Sequence, residues 1–103
     1  MKFLNIFHYR DSWYALPPEK KAELTQVNSA WIMEQMKAGK IKDMYLLGNG
    51  QGAVCVWECA SSEEAMRADL EWPLQNYMTF EVTPLIEMDV AMKVRQEMAA
   101  ARR

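Results

Sequence analysis

The chain has 103 residues, half of them hydrophobic and a quarter charged, which predicts one compact domain over residues 1–103. Twelve basic and fourteen acidic side chains give a net charge of −2 at pH 7, and no basic stripe precedes the terminal Arg102 and Arg103, so nucleic acid is not an expected partner. No apolar run is long enough for a signal peptide or a membrane span, so we expect a cytoplasmic protein without membrane contact.

The first strand is predicted over Lys2–Tyr9, a stretch rich in Phe, Ile and Tyr. The pattern leaves open which side of this strand faces the core, because one side carries Phe3, Asn5, Phe7 and Tyr9 and the other Leu4, Ile6 and His8. Residues 10–16 are predicted to form a loop. Its aromatic pair, Trp13 and Tyr14, is predicted either to close over a pocket as a lid or to lie at a dimer edge.

A long helix is predicted from the Pro17-Pro18 start to about Ala38, with Gly39 as the residue that ends it. At about 100° per residue, one face of this helix carries Leu24, Val27, Trp31 and Ala38. Two amides, Asn28 and Gln35, project in the same sector. Because buried amides need hydrogen-bond partners, they mark either an internal network or the polar part of a ligand pocket between helix and sheet.

A hairpin is predicted next, with strands at Ile41–Leu47 and Ala53–Cys59 and a turn at Gly48–Gly52. Its second strand contains both cysteines, Cys55 and Cys59, four residues apart. Strand geometry keeps them too far apart to pair, so we expect free thiols that serve as packing groups in a reduced compartment.

The second half of the chain predicts a helix, a strand and a further helix. The S-x-x-E pattern at Ser61–Glu64 indicates a helix start, and Pro73 ends that helix near Trp72. The last strand begins at Met78, and because proline in a strand is confined to edges and bulges, residues 85–88 are expected either to leave the sheet or to pair outside the usual ladder. Asp89 is the predicted N-cap of a terminal helix with a narrow apolar stripe, formed by Val90, Val94 and Met98.

This order of elements, β-α-β-β-α-β followed by a helix, is typical of a ferredoxin-like α+β fold. Both main helices then lie on one face of a four-stranded antiparallel sheet, and the other face stays uncovered. Four Trp, four Tyr, three Phe and nine Met are more than a monomer of this size readily buries. We therefore expect a homodimer or a larger homo-oligomer to cover that face.

Four segments resemble the muconolactone delta-isomerase family: LPPEKKAEL, AGKIKDMYLLG, VWE at 56–58 and WPLQNYMTFEVTPL. The most specific motif is P-L-x-x-Y-M-x-x-E-V-x-P-L, which the chain keeps from Pro73 to Leu85. The resemblance covers most of residues 15–88. It implies the dimeric α+β barrel fold, and a shift of a double bond in a small lactone of aromatic catabolism without a cofactor.

The chain departs from the family's pattern at three places, one of which is a loop that looks inserted and contains Asp11, Ser12, Trp13 and Tyr14. Asn28 stands where family members tend to carry a glutamate, and Tyr45 and Leu46 stand where they tend to show Trp-Arg. Because one fold hosts many chemistries, the resemblance implies the fold more directly than the activity.

Two side chains are the candidates for moving a proton, as a 1,3-proton shift requires. His8, the only histidine, has an unperturbed pKa close to neutrality and can act as base and acid in turn. Glu81, like Glu58, alternates with apolar residues on its strand, and such surroundings raise a carboxyl pKa. The alternative for these residues is structural, as an edge histidine and as interface carboxylates.

Six side chains are the candidates for binding a small hydrophobic or cyclic substrate. Asn28 is the first choice for orienting it, and the aromatic residues offer flat walls and two phenol groups that can polarise a carbonyl. The set is Asn28, Trp31, Gln35, Tyr45, Trp57 and Tyr77. For each of these residues, the alternative to substrate binding is a structural role in the packing of the core.

Two classes of function are open on this reading. One is a cofactor-independent isomerase or cyclase acting on a small lactone, enone or polyketide-like ring, with cofactor-free oxygenation of a phenol as a related option. The other is a non-catalytic protein that binds a small molecule or serves as an accessory subunit. The sequence has no phosphate loop, metal-ligand cluster or nucleotide fingerprint, so neither a metal nor a cofactor is expected.

Overall fold

The computed structural model describes residues 1–102. Within them, four strands form one antiparallel sheet in the spatial order β2-β3-β1-β4: β1 Lys2–Tyr9, β2 Ile41–Leu46, β3 Gly52–Glu58 and β4 Met78–Leu85. The α-helices are α1 Asp11–Tyr14, α2 Pro18–Lys37, α3 Ser62–Glu71 and α4 Met88–Ala101. This is the predicted ferredoxin-like α+β arrangement with a C-terminal helix.

Local chemistry explains where the two main helices begin and end. Pro18 lies in the first turn of α2, where a missing N–H breaks no helical hydrogen bond, and Gly39 follows the helix with φ +74°. Before α3, the Ser61 hydroxyl accepts from the Glu64 N–H at 3.2 Å, and the Glu64 carboxylate accepts from the Ala60 N–H at 2.6 Å. The predicted capping box is therefore confirmed.

The sheet has a covered face, which packs against α2 and α3, and an open face. Phe3, Asn5 and Phe7 lie on the covered face and are at most 2% exposed. This is therefore the side of β1 that faces the core. Side chains of directly paired strand residues share a face. The strand register accordingly puts Ala53, Cys55, Trp57, Phe80, Val82 and Pro84 on the covered face, and Leu4, Ile6, His8, Tyr45, Val54, Val56, Thr79 and Glu81 on the open face.

An aromatic layer fills the space between α2 and the covered face. Its central residue, Trp72, is 2% exposed, and its ring centroid lies 4.6 Å from that of Trp31 and 4.8 Å from that of Phe7. Trp57 and Phe80 complete the layer at 6.3 and 6.4 Å from Trp72. Stacked and tilted aromatic pairs at these separations stabilise a core beyond the area that they bury.

The segment predicted as a loop at 10–16 contains a helical turn, α1. Trp13 is buried because its ring stacks on Tyr9, with centroids 5.1 Å apart and planes 16° apart. It also meets Tyr77 edge-on at 6.1 Å. This packing, rather than any period in the sequence, orders the segment.

Two expectations for the C-terminal part need correction. Residues 86–88 leave the sheet as expected, but β4 continues through Pro84 to Leu85, because an edge strand tolerates a residue that cannot donate to a ladder. Asp89 is not the N-cap of α4, which begins at Met88; its carboxylate instead accepts from the adjacent Val90 N–H at 2.9 Å within the first turn. The hairpin strands agree with the prediction to within one residue at each end.

The terminal helix α4 is exposed along its length, and the molecule is elongated, at 63 × 28 × 24 Å. Its five large apolar side chains are each at least 49% exposed: Met88, Val90, Met92, Val94 and Met98. The predicted apolar stripe on this helix is therefore uncovered in a single copy of the chain.

Gly52→Ala is expected to destabilise the sheet, because a β carbon at Gly52 would lie 1.9 Å from the carbonyl oxygen of Phe7. Relief requires backbone movement between β1 and β3, and overpacking of this kind costs about 1–3 kcal/mol or more. Urea unfolding measures the loss. Gly48→Ala is the matched control, since a β carbon there meets nothing within 4 Å; equal losses in the two variants would contradict the explanation.

Candidate functional site

A buried polar pair lies under α3 at the middle of the covered face. Asn5 of β1 is 1% exposed and Asp69 of α3 is 8% exposed, and the Asn5 Nδ2 donates a hydrogen bond to the Asp69 Oδ1. Phe3 and Phe7 flank Asn5 along the same face of the strand. A carboxyl group is seldom buried among apolar side chains, so this pair marks a candidate for chemistry.

A cleft between α3 and β4 leads to Asp69 from the surface. This Asp69 cleft has a volume of about 250 Å³ and is lined by Phe3, Ser62, Met66, Asp69, Val82 and Pro84. It exists because α3 covers the centre of the sheet and leaves part of the edge strand β4 uncovered. Small-molecule sites have volumes of roughly 300–1,000 Å³, so the cleft suits a small ligand with mostly apolar surface.

Burial raises the pKa of the Asp69 carboxyl from 3.8 to about 6, and the hydrogen bond from Asn5 opposes part of that rise. The group is then mostly ionised at neutral pH, yet it is readily protonated. A side chain whose pKa lies this close to the working pH can both remove and return a proton.

Asp69→Asn is expected to remove a pH dependence of stability. Because the Asp69 pKa is raised in the folded protein, the unfolded chain binds fewer protons between about pH 4 and pH 6, so the free energy of unfolding falls as the pH rises through that window. Urea unfolding at several pH values measures the slope. The variant should show a shallower fall than the wild type, and identical slopes would show that Asp69 is not desolvated.

The structure brings together part of the predicted substrate-binding set. Asn28 is buried on α2, and Trp31, half-buried one turn further along, joins Trp57 in the aromatic layer. Among residues 1–102, three buried polar atoms around this layer have no hydrogen-bond partner: Asn28 Oδ1, Trp57 Nε1 and Trp72 Nε1. Polar atoms without partners in an apolar layer are unusual, and they are available to a ligand or to water.

Gln35 faces a second cleft, of about 180 Å³, at the end of α2. Trp57 forms part of its floor, and the rest of its lining is mainly charged: Lys40, Glu58, Glu64, Arg67 and Glu71. Tyr77 is half-buried and packs edge-on against Trp13, away from this cleft. The expected inward face of α2 is also narrower than predicted, since Val27 is 54% exposed and Ala38 is exposed as well.

Three predicted site residues lie on the open face of the sheet. Glu81 pairs directly with Ile6, and His8 pairs with Thr79. Both His8 and Glu81 are exposed, and Tyr45 is 66% exposed on the same face. The sheet therefore separates the two predicted proton carriers and Tyr45 from Asn28, Trp31 and Trp57, and their catalytic roles stay predictions.

Sequence reasoning missed both members of the buried pair. Asn5 is the one amide in an otherwise apolar half of β1, but the strand phase was open, so its burial was not evident. Asp69 lies four residues after the buried Ala65 and three before the buried Trp72. That helical spacing is the signal by which the sequence could have placed Asp69 on the inner face of α3.

The lid predicted for Trp13 and Tyr14 does not reach the Asp69 cleft. Trp13 packs on Tyr9 at one end of β1, whereas the cleft begins at Phe3, six residues or about 20 Å away along the strand.

The two thiols are free and buried, as predicted. Burial raises the pKa of Cys55 to about 12 and also raises that of Cys59, so neither is a reactive thiolate at neutral pH.

Among residues 1–102, no cluster of three or more His, Cys, Asp or Glu could hold a metal ion. No helix in that range has the length and apolar character needed to cross a membrane.

Comparisons with known proteins agree with the fold. The family model described as muconolactone delta-isomerase matches residues 1–91. A crystal structure of muconolactone isomerase at 3.3 Å resolution superposes with a TM-score of 0.68 and 20% sequence identity, covering 84% of this chain and 90% of that one. A comparison with curated proteins gives no match.

Proposed function

Because the chain belongs to the muconolactone delta-isomerase family, we propose that it is a cofactor-independent isomerase that transfers a proton within a small lactone or a related enone. The family supplies the general class of reaction. The observation that supports a site in this chain is a buried carboxyl group, Asp69, at the inner end of an apolar cleft that suits a small ring.

In the proposed reaction, the Asp69 carboxylate removes a proton from the carbon next to the ring carbonyl. The C–H bond breaks, an O–H bond forms on Asp69, and the electron pair moves into the conjugated system as an enolate. The same carboxyl then returns the proton to the far carbon of that system. The double bond has shifted, and no atom or electron is lost, so no cofactor is consumed.

The other residues that line the cleft would hold the ring in place and stabilise the enolate. Phe3, Met66, Val82 and Pro84 provide apolar walls against which the ring can pack. The Ser62 hydroxyl, which also lines the cleft, can donate a hydrogen bond to the developing enolate oxygen.

His8 and Glu81 are the alternative proton carriers for the same reaction. They lie two pairing positions apart on the open face, so a site that used them would need a second copy of the chain to enclose it. Asp69 is already buried within one chain, at 8% exposed, which is why we place the proposed proton transfer there.

We also propose that the chain self-associates through the open face. Leu4, Ile6, Val54 and Val56 form its apolar centre, and the exposed helix α4 supplies a further apolar surface. Such surfaces are seldom left uncovered in a soluble protein. Sedimentation of wild type and Ile6→Lys tests this: the wild type should be oligomeric and the variant smaller, whereas a monomeric wild type would refute the proposal.

The proposed activity is tested by incubating the wild-type protein in deuterated water with muconolactone and a panel of enol lactones, cyclic enones and phenols. Isomerisation of a lactone or enone is the expected result, with deuterium at the receiving carbon if the proton on Asp69 exchanges with solvent, and with the substrate's own proton there if it does not. Oxygen incorporation into a phenol would instead favour the oxygenase alternative. Saturable binding without isomerisation or exchange would favour a binding protein, and both of those outcomes would overturn the isomerase proposal.

A further inference from the structure

The hydrogen bonding of the buried Asn5 is incomplete in a specific way. Its Nδ2 donates to Asp69, while its Oδ1 is buried and has no hydrogen-bond partner within residues 1–102. Buried amide oxygens are usually paired, and an unpaired one destabilises a fold. If residue 5 served only for packing, an apolar side chain between Phe3 and Phe7 would fill the position without leaving a polar atom unpaired.

The two protonation states of Asp69 differ by one hydrogen-bond donor, and in both states at least one carboxyl oxygen can still accept. An ionised carboxylate only accepts hydrogen bonds, whereas a carboxylic acid has one O–H to donate. An asparagine amide has one donor end and one acceptor end of nearly the same shape, and rotation about its Cβ–Cγ bond exchanges them. The unpaired Asn5 Oδ1 is therefore an acceptor already present for the O–H of a protonated Asp69.

We propose that Asn5 is a positioning residue that stays hydrogen-bonded to Asp69 in both protonation states, by donating from Nδ2 to the carboxylate and accepting at Oδ1 from the carboxylic acid. β1 lies between β3 and β4, so the backbone of Asn5 is fixed from both sides. Only the amide has to turn. The carboxyl group keeps its direction toward the cleft while it carries the proton.

The catalytic meaning of this exchange rests on the proposed function of Asp69. A proton that is removed from one carbon and returned to another must be held in place between the two steps. A carboxylic O–H with no acceptor beside it would hold the group less firmly between the two transfers, and the second transfer would slow. The exchange itself is a property of the pair and needs no substrate.

The surroundings of Asp69 allow its titration to be followed cleanly. The titratable groups that face it from other elements are the Cys55 and Cys59 thiols, whose raised pKa values keep them neutral near pH 6. From β4, the cleft residues Val82 and Pro84 carry no titratable group, and Ser62 and Met66 of α3 carry none in this range either.

The first test is an NMR titration of the full chain without substrate, following the Asp69 carboxyl carbon and the Asn5 side-chain amide. The proposal predicts that the Asn5 amide signals change with the same midpoint as the Asp69 carboxyl. Asn5 signals that stay constant through the Asp69 transition would overturn it. Because the titration uses no substrate, it can succeed where the isomerase proposal fails, and it can fail where that proposal succeeds.

The second test is Asn5→Leu, with Asn5→Ser as the conservative variant. Leucine removes the donor that stabilises the carboxylate, so the Asp69 midpoint should rise by about one pH unit, and the rising limb of the pH–rate profile should move with it. Serine, whose hydroxyl can donate or accept, should show a smaller rise. A purely structural role would lower thermal stability and leave the midpoint unchanged, which would overturn the proposal; if Asn5→Leu does not fold, the wild-type titration decides alone.

Discussion

Asp69→Asn is expected to lower kcat for isomerisation by about 10²–10⁴-fold, the usual contribution of a general acid–base group. An amide cannot take up the proton, but it has nearly the same shape as the carboxyl group, and it can still accept from Asn5. KM should therefore change little. Steady-state kinetics on the best substrate of the panel, together with a thermal melt of the variant, measures both effects.

The controls for this prediction lie on the other side of the sheet. His8→Ala and Glu81→Gln change exposed residues of the open face, so both should leave kcat close to the wild-type value. In the wild type, kcat/KM should rise with pH through about 6, where Asp69 ionises. A variant at His8 or Glu81 that loses activity while Asp69→Asn keeps it would move the reaction to the open face.

Trp72→Ala is expected to cause the largest loss of stability, about 3–5 kcal/mol, as is typical when a large buried aromatic residue is removed. Trp72 is 2% exposed and contacts Phe7, Trp31, Trp57 and Phe80, so its loss opens a cavity in the middle of the aromatic layer. Small domains have total stabilities of about 5–15 kcal/mol, so the variant should be close to unfolding at room temperature.

Two further variants serve as comparisons. One keeps an aromatic ring at position 72, and the other is a control at an exposed residue. Trp72→Phe should lose less than Trp72→Ala, because it keeps a ring and removes an indole N–H that has no partner within residues 1–102. Met33→Ala, at a residue 58% exposed on the outer side of α2, should change stability by no more than about 0.5 kcal/mol. Urea unfolding of all three measures the order, and a similar loss for Met33→Ala would show that the aromatic layer is not the centre of the core.

The sequence predicted the fold well because its elements have strong local signals. Pro18, Gly39 and the Ser61 capping box mark helix ends through backbone chemistry that acts over only a few residues. The exceptions depend on contacts between distant segments. The turn α1 is ordered by the stacking of Trp13 on Tyr9, and Pro84 stays in its strand because β4 is at the edge of the sheet.

The candidate site was less predictable, because a site depends on which face each strand residue occupies. The alternation of β1 allowed either side of the strand to face the core. Which side does so decides whether His8 or Asn5 lies beneath the helices. In the structure, the side of β1 that packs against α2 and α3 carries Asn5, which donates a hydrogen bond to Asp69, and His8 lies on the open face. Asn28 and Trp31 did not depend on the orientation of a strand. Helical spacing predicted that they face inward, and the structure confirms it, although the same spacing also predicted an inward position for Val27 and Ala38, which are exposed.

A small cyclic substrate is expected to bind in the Asp69 cleft, and methyl NMR can show directly where it binds. The protein would be labelled with ¹³C at its Met, Ile and Val methyl groups and titrated with muconolactone and the other lactones. Saturable shifts are expected for Met66 and Val82, which line the cleft, and none for Met33 on the outer side of α2. Shifts confined to Ile6 and Val54 would instead place the ligand on the open face and rule out the Asp69 cleft as the site.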